Sequence, residues 1–463
     1  MTTTLTKTWA RLVHAQPDAL ALIEAANGRR WTRAELSAHA DSWRATLPLE
    51  VAGQRVTFAL PNGPDWFAAF LGLLLADAIP VPLDPSEPVA AQRTLAASAR
   101  APFAWINARL EPIQSNLIGY FGVFQNSPFS TGPSKIQSNL LGYSVPRACL
   151  VKLTSGSTGR PRALAFTHAQ MLADGRQICA GMGITPDDLN FAVIPLGHSY
   201  GLGNLVVPLL AQGTPLVCAG APLPHALAAD IALWKPTVFP AVPALLRALA
   251  AADVPAKHLA SLRTVISAGS PLTPEIALAF HAKFALKPHG FYGSSETGGI
   301  TYDRSGDATL AGRSVGAPLK GVTLTPTRAG RFRVTSPAVF HTGSFCPADR
   351  ATLTDDGELV LLGRTGRMVK IAGRRLDLGE LEQSLRRLPD VRDAFVAPHP
   401  HHPGELAAVV ATPLAASALR PLLRAHLASW KLPRRLVTTA EFPLTARGKP
   451  DARALHALLA NHR

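Results

Sequence analysis

Apolar residues along this chain switch repeatedly between helical and extended spacing. Residues 34–47 carry them at helical intervals, and residues 55–60 form a short strand-like run. Residues 65–76 are almost wholly apolar over a length that suits a buried helix, and residues 78–83 are extended. The pattern continues with strands at 190–195 and 215–219, a helix at 243–251, a buried strand at 262–267 running into Ala268-Gly269-Ser270, and a helix at 274–284. Towards the C-terminus, helical spacing at 378–388 is followed by strands at 391–397 and 406–412 and a helix at 419–429. Strands alternating with helices predict an α/β architecture.

One segment breaks the pattern. Residues 112–145 are rich in Asn, Gln, Ser, Gly and Phe, and Lys135 is their sole charged residue. Two near-copies occur within it, Ile113-Gln-Ser-Asn-Leu-Ile-Gly-Tyr120 and Ile136-Gln-Ser-Asn-Leu-Leu-Gly-Tyr143. Two copies are too few for a repeat array. The segment reads as an inserted loop, and loose packing is its expected state.

Composition narrows the class. At 463 residues, 47% hydrophobic and 17% charged, the chain suits a globular protein of two or more domains. Its four cysteines are scattered, with no CxxC pair and no metal-ligand cluster, which predicts a reducing, cytoplasmic setting without a disulfide framework. The first residues lack the apolar core of a signal peptide, and no apolar run nears the roughly 20 residues that span a bilayer. Net charge is +15, but Lys and Arg are dispersed rather than gathered in blocks. That distribution argues against nucleic-acid binding and suits an enzyme that handles anions.

The chemistry concentrates at Thr154-Ser155-Gly156-Ser157-Thr158-Gly159, followed by Arg160 and Arg162. Glycines let main-chain N–H groups approach a ligand closely, hydroxyls add donors, and arginines counter negative charge. Such a loop is built for phosphate. It is not the common P-loop, because no Lys follows Gly159.

This loop resembles the phosphate-binding signature of the adenylate-forming superfamily, which includes acyl- and aryl-CoA synthetases and peptide-synthetase adenylation domains. Four further stretches follow in the family's order: Pro195-Leu-Gly-His-Ser-Tyr-Gly-Leu202, Tyr292-Gly-Ser-Ser-Glu-Thr297, Gly363-Arg-Thr-Gly-Arg-Met-Val-Lys-Ile-Ala-Gly373 and Pro443-Leu-Thr-Ala-Arg-Gly-Lys449. The resemblance covers nearly the whole chain. It implies a large domain over residues 1–364 and a small mobile domain over 367–463, with an active site in the cleft between them.

It also implies roles. Thr154, Ser155, Gly156, Ser157, Thr158 and Gly159 would cradle the β- and γ-phosphates of ATP, with Arg162 where the family usually has Lys. Glu296 would organise Mg2+, and Thr297 would hydrogen-bond the α-phosphate. Tyr292 would stack on adenine beside Ala268 and Gly269. Asp349 would hold the ribose hydroxyls. The local pattern there is loose, since Thr342-Gly343 precedes Ser344 and permits a second alignment. Arg364 would contact ribose or phosphate. Lys449 would bridge the acid's carboxylate and the α-phosphate. Lys370 and Gly373 would face the site in a second, thioester-forming state, where Gly373 leaves room for a pantetheine arm. Gly366 stands where the family has a hinge Asp or Lys; glycine would permit a rotation there, without a side-chain lock on either state.

The implied activity is acid activation to an acyl-adenylate, with a small-molecule carboxylic acid as substrate. His198 would sit at the carboxylate end, and no acidic residue awaits an amine, which favours a fatty, aromatic or hydroxy acid. Three outcomes stay open: a CoA ligase, transfer to the phosphopantetheine of an acyl carrier protein or another adenylate-forming reaction, and a non-catalytic nucleotide-binding homologue.

Overall fold

The computed structural model describes residues 3–113, 148–155, 161–327, 330–341, 343–364, 368–371, 374–402, 404–427, 431–445 and 450–461. Its largest sheet has nine strands. Six of them run parallel, in the spatial order Leu20–Glu24, Leu216–Cys218, Asn190–Ala192, Val238–Ala241, Thr264–Ser267 and Pro288–Ser294. Arg30–Thr32 closes one edge antiparallel; Gly298–Tyr302 and Ala317–Pro318 close the other. The central strands Val238–Ala241 and Thr264–Ser267 are buried at every position. Strands covered on both faces are buried throughout rather than alternately, and in Thr264–Ser267 the two polar ends are buried along with Val265 and Ile266. Parallel strands also end on one common edge, and the loops after Ala192, Ala241, Ser267 and Ser294 leave from it.

A second sheet of four strands contains Ile79–Pro82, Arg55–Phe58, Phe103–Ile106 and Arg109–Pro112. The apolar helix expected near 65–76 is Pro64–Leu75. Pro64 occupies its first turn, where no backbone donor is lost, and Trp66 stacks on Phe70 at 5.1 Å. It packs on Arg33–Ala45, which begins with a reciprocal capping box between Thr32 and Glu35. Ala148–Ser155 and Pro161–Thr167 form an antiparallel ribbon, and Thr167 and Gln170 cap the helix His168–Met182 that follows.

The helices expected at 243–251 and 274–284 are present with those bounds. The strand expected at 262–267 begins later, at Thr264, because the Leu262 N–H turns back to the Leu259 carbonyl at 3.0 Å. The expected insertion falls almost wholly outside the described residues. Its near flank is anchored: Ile113 is buried and donates its N–H to the Pro102 carbonyl at 2.8 Å. The chain resumes at Ala148, in the first strand of the ribbon.

The C-terminal portion has its own three-stranded sheet, with Asp393–Pro398 and Arg435–Thr439 flanking Leu406–Ala411. Helices Leu378–Arg386 and Ala416–His426 contribute to one core against it, and Ala452–Asn461 places Leu455 and Leu459 in a second. The boundary expected near Gly366 lies outside the described residues.

Asp188 ties three segments of the main sheet together. Its carboxylate accepts from the Thr185 N–H at 2.9 Å, the Thr237 hydroxyl at 2.7 Å and the Arg263 guanidinium at 2.9 Å. Burial alone would raise its pKa, but these donors pull it below the ordinary carboxylate value. A depressed carboxylate stabilises the fold above its unfolded pKa, and that contribution is lost as pH falls through the folded value. We therefore expect Asp188→Asn to cost about 2 kcal/mol at neutral pH. The gap from wild type should close as pH falls below the ordinary carboxylate range, as read by denaturant unfolding at several pH values.

Candidate active site

The expected phosphate loop is flanked by the paired strands Ala148–Ser155 and Pro161–Thr167. Thr154 lies opposite Arg162, and Ser155 opposite Pro161. Residues 156–160, including Gly156, Ser157, Thr158 and Gly159, lie outside the described residues. Thr154 is half-buried and Arg162 exposed, so hydroxyl and cation are brought side by side at the base of the loop.

Two strands of the main sheet carry residues expected from the sequence to meet a nucleotide. Tyr292 lies in Pro288–Ser294, and its hydroxyl donates to Asp349 Oδ2 at 2.8 Å. Asp349 opens the strand Asp349–Leu353 and pairs across to Arg364. The structure thus brings Tyr292, Asp349 and Arg364 together. Gly269 follows the neighbouring strand with a φ of +88°, in the turn after the buried Ala268.

After Ser294 the chain turns through Ser295, Glu296 and Thr297. Thr297 is fully buried, and its hydroxyl donates to the Gly298 carbonyl at 3.0 Å and accepts from the Ser294 N–H. Its hydroxyl shapes the turn, so a phosphate contact would require that hydrogen to be redirected. The Glu296 carbonyl accepts from the Phe340 N–H at 2.7 Å. Ser295 is joined by a 3.0 Å hydroxyl–hydroxyl bond to Ser199, which links this turn to the His198 segment.

His198 is placed by a residue the sequence reading passed over. Asn62 donates to the carbonyls of Ala192 and Ile194 and accepts from the Leu196 N–H, all within 3.0 Å. One side chain therefore fixes the backbone leading to His198. Gly197 lets this loop lie on the second sheet, since an added Cβ would fall 3.0 Å from Pro82. His198 Nε2 then sits 3.3 Å from Asp84 Oδ2, and Asp84 is itself held by the Ser86 N–H and hydroxyl. Nothing in the sequence singles out Asp84 as the acid beside this histidine. Asp84 follows an extended run that carried no signal of proximity to residue 198. Behind His198, the Tyr200 hydroxyl is shared between the Ala241 and Ile266 carbonyls, and its ring lies 6.0 Å from that of Phe291.

Two ionisable side chains are buried near the turn. Lys152 and Asp174 are each 3% exposed. The Lys152 ammonium sits 4.2 Å above the Phe166 ring, and Asp174 Oδ1 accepts from the Gly299 N–H at 2.9 Å. Burial pushes Lys152 down and Asp174 up, and each charge opposes the other's shift. The sequence analysis singled out neither residue.

The remaining predicted residues lie in the C-terminal portion. Lys370 is in Met368–Ile371, which pairs antiparallel with Arg374–Asp377; Gly373, at the tip between them, is outside the described residues. So is Lys449, but its loop is pinched shut by a bridge between Leu444 and Pro450 and by the Asp451 N–H bound to the Pro443 carbonyl at 2.8 Å. Among the described residues no cluster of three or more His, Cys, Asp or Glu forms a metal cage. One carboxylate, Glu296, fits Mg2+, which is usually held by one or two carboxylates together with substrate phosphates.

If Asp349 holds ribose hydroxyls, Asp349→Ala should weaken ATP binding by about 1.5–3 kcal/mol, roughly ten- to a hundredfold. Titration calorimetry reads this directly, and an unchanged affinity would remove Asp349 from the nucleotide.

Comparison with known proteins gives the family. Residues 9–325 match the AMP-binding enzyme family, and residues 380–449 match the AMP-binding enzyme C-terminal domain. The chain is 26% identical over 455 residues to a benzoate–CoA ligase of Thauera aromatica, covering 88% of this chain and 86% of that protein. It is 27% identical over 335 residues to a feruloyl-CoA synthase of an Amycolatopsis species, covering 65% and 68%. Klebsiella oxytoca NpsA, solved in complex with 3-hydroxyanthranilyl-AMSN, superposes with a TM-score of 0.80 at 20% identity over the full length of both chains. This chain belongs to the AMP-binding enzyme family, the adenylate-forming ligases that its five motifs resemble.

Proposed function

We propose that the protein activates an aromatic carboxylic acid as its acyl-adenylate and transfers the acyl group to a thiol, CoA in the first instance. The observation that supports this reading is the Tyr292–Asp349 bond near the Glu296 turn, where the two residues would hold adenine and ribose. In the first step a carboxylate oxygen of the acid bonds to the α-phosphorus, the bond to the bridging oxygen breaks, and pyrophosphate leaves. In the second, the thiol sulfur attacks the acyl carbon and AMP leaves, the thiol proton passing to solvent.

Both reactants of the first step are anions, so the site must lower their repulsion and align them. Residues 154–159 and Arg162 would hold the β- and γ-phosphates. Asp349 and Arg364 would fix the ribose, and Tyr292, with Gly269, the adenine. Mg2+, held by Glu296, would supply charge neutralisation on the phosphates. Lys449 would enter between carboxylate and α-phosphate, where negative charge shifts in the transition state. His198, oriented by Asp84, would stand at the acid's carboxylate. Lys370 and Gly373 would serve the thioester step, which a rotation about residues 364–367 between a large and a small domain would set up.

The acid class is favoured by the wall behind His198. Tyr200 is tied to two strand ends and packs beside Phe291, which suits a flat ring better than a long alkyl chain. The benzoate and feruloyl ligases among its relatives point the same way. An acyl carrier protein is the alternative acceptor, and the excess of basic residues would suit an acidic partner.

ATP–pyrophosphate exchange with benzoate-type, hydroxyaryl and long-chain acids tests the reading. Aromatic acids should support exchange and long-chain acids should not. Lys449→Ala should lower the exchange rate by about a hundredfold or more while leaving ATP affinity nearly unchanged. Exchange that survives the substitution would exclude Lys449 from the first step, and fatty-acid-dependent exchange would overturn the acid class. CoA and carrier-protein pantetheine, offered in competition, then identify the acceptor.

A further inference from the structure

The segment from Ala192 to His198 leaves the main sheet but is fastened to the second one. In that second sheet Arg55–Phe58 and Ile79–Pro82 run parallel, so the loops that follow them leave from one edge. The Leu83 N–H bonds the Phe58 carbonyl at 2.8 Å and keeps the two loops side by side. Asn62 lies in the first loop and Asp84 in the second.

Both reach the same segment. Asn62 Nδ2 donates to the Ala192 carbonyl at 3.0 Å and the Ile194 carbonyl at 2.9 Å, while its Oδ1 accepts from the Leu196 N–H at 2.9 Å. This set of bonds needs an amide, which offers donors and an acceptor in one side chain. Asp84 meets the end of the segment, with Oδ2 3.3 Å from His198 Nε2. A carboxylate has no proton to give, so this contact favours a proton on Nε2. Asp84 is 7% exposed, and its Oδ1 accepts from the Ser86 N–H at 3.0 Å and the Ser86 hydroxyl at 2.6 Å. It cannot turn away from the histidine without losing those bonds. Tyr292 and Asp349, expected at the nucleotide, come from other elements, Pro288–Ser294 and Asp349–Leu353.

We infer that Asn62 and Asp84 are positioning residues for the acid. The second sheet sets where His198 stands and which ring nitrogen carries its proton, and so sets the affinity for the acid but not for ATP. The inference deepens the adenylation reading and rests on it for the place of the acid. Both residues act through His198. A histidine displaced by a fraction of a bond length, or protonated on the other nitrogen, loses its alignment with the carboxylate it meets.

The test uses the full-length protein with Asp84→Asn, Asn62→Ala, His198→Ala, and Asp84→Asn combined with His198→Ala. Because Ser86 keeps an oxygen at Oδ1, the new amide nitrogen at position 84 faces Nε2 and shifts the imidazole proton to Nδ1. Benzoate is the probe acid in ATP–pyrophosphate exchange. Calorimetry reads ATP affinity, thermal unfolding reads structure, and nitrogen NMR of 15N-histidine-labelled protein reads the imidazole. The His198 signals are those lost in His198→Ala.

We expect Asp84→Asn and Asn62→Ala each to raise the KM for benzoate about tenfold, the scale of coupling between residues in contact, and to leave ATP affinity within about twofold of wild type. Added to His198→Ala, Asp84→Asn should change that KM by less than about twofold, since its route to the acid is gone. A KM unchanged in Asp84→Asn, or raised equally with and without His198, would overturn the inference. Should Asn62→Ala fail to fold, Asp84→Asn alone decides.

Where exchange is too weak to give a KM, the nitrogen spectra decide. They should show a proton on Nε2 of His198 in the wild type and its shift to Nδ1 in Asp84→Asn; identical imidazole signals in the two proteins would overturn the inference. Wild-type protein that binds ATP with Mg2+ but exchanges pyrophosphate with no acid would defeat the adenylation reading alone, because the spectra still test how Asp84 holds His198.

Discussion

The loops proposed to carry the chemistry leave a sheet whose central strands are buried at every position, and the peptide groups buried with them have no water to bond. Each such group must find a partner inside the protein. Here the partners are a few polar side chains. Asn62 takes three backbone groups of the segment before His198. Asp174 takes the Gly299 N–H, and Thr297 bonds within its own turn. Asp303 accepts the N–H groups of Gly306 and Thr309 beyond the next strand. Satisfying the backbone and placing the site residues are therefore one act. A loop held by its peptide groups cannot move its side chains without leaving a buried donor unpaired, which is costly.

This coupling explains which parts of the molecule were legible in the sequence. Strands such as Thr264–Ser267 and helices such as Pro274–Phe284 are set by local apolar spacing and could be read directly. The motifs around Tyr292, Glu296 and His198 stood out because unusual composition clusters there. Asn62, Asp84, Lys152 and Asp174 could not be found that way. Each is a single polar residue in an unremarkable local context, and its meaning comes from partners distant in sequence, as with Asp174 and the Gly299 N–H. Nothing in apolar periodicity records such a pairing. The choice of Asp349 shows the reverse case. Sequence left two alignments open, and one hydrogen bond from Tyr292 favours the downstream aspartate.

The hairpin shows how charge is graded along one face. In an antiparallel ribbon, residues opposite each other share a face. From tip to root that face presents Thr154 with Arg162, Lys152 with Leu164, and Leu150 with Phe166. Exposure falls along it, from exposed Arg162 to buried Lys152 to fully buried Leu150 and Phe166. An exposed guanidinium offers a planar fork of donors to an anion, but water and salt screen its charge. A buried ammonium donates to no ligand, but its field reaches neighbours through a medium of low dielectric. The ribbon therefore divides the two basic residues of this face between two environments, an exposed tip and a buried root. That division requires the root to stay dry, and the dryness is supplied by Phe166 beneath the ammonium and by the core into which Leu150 and Leu164 pack.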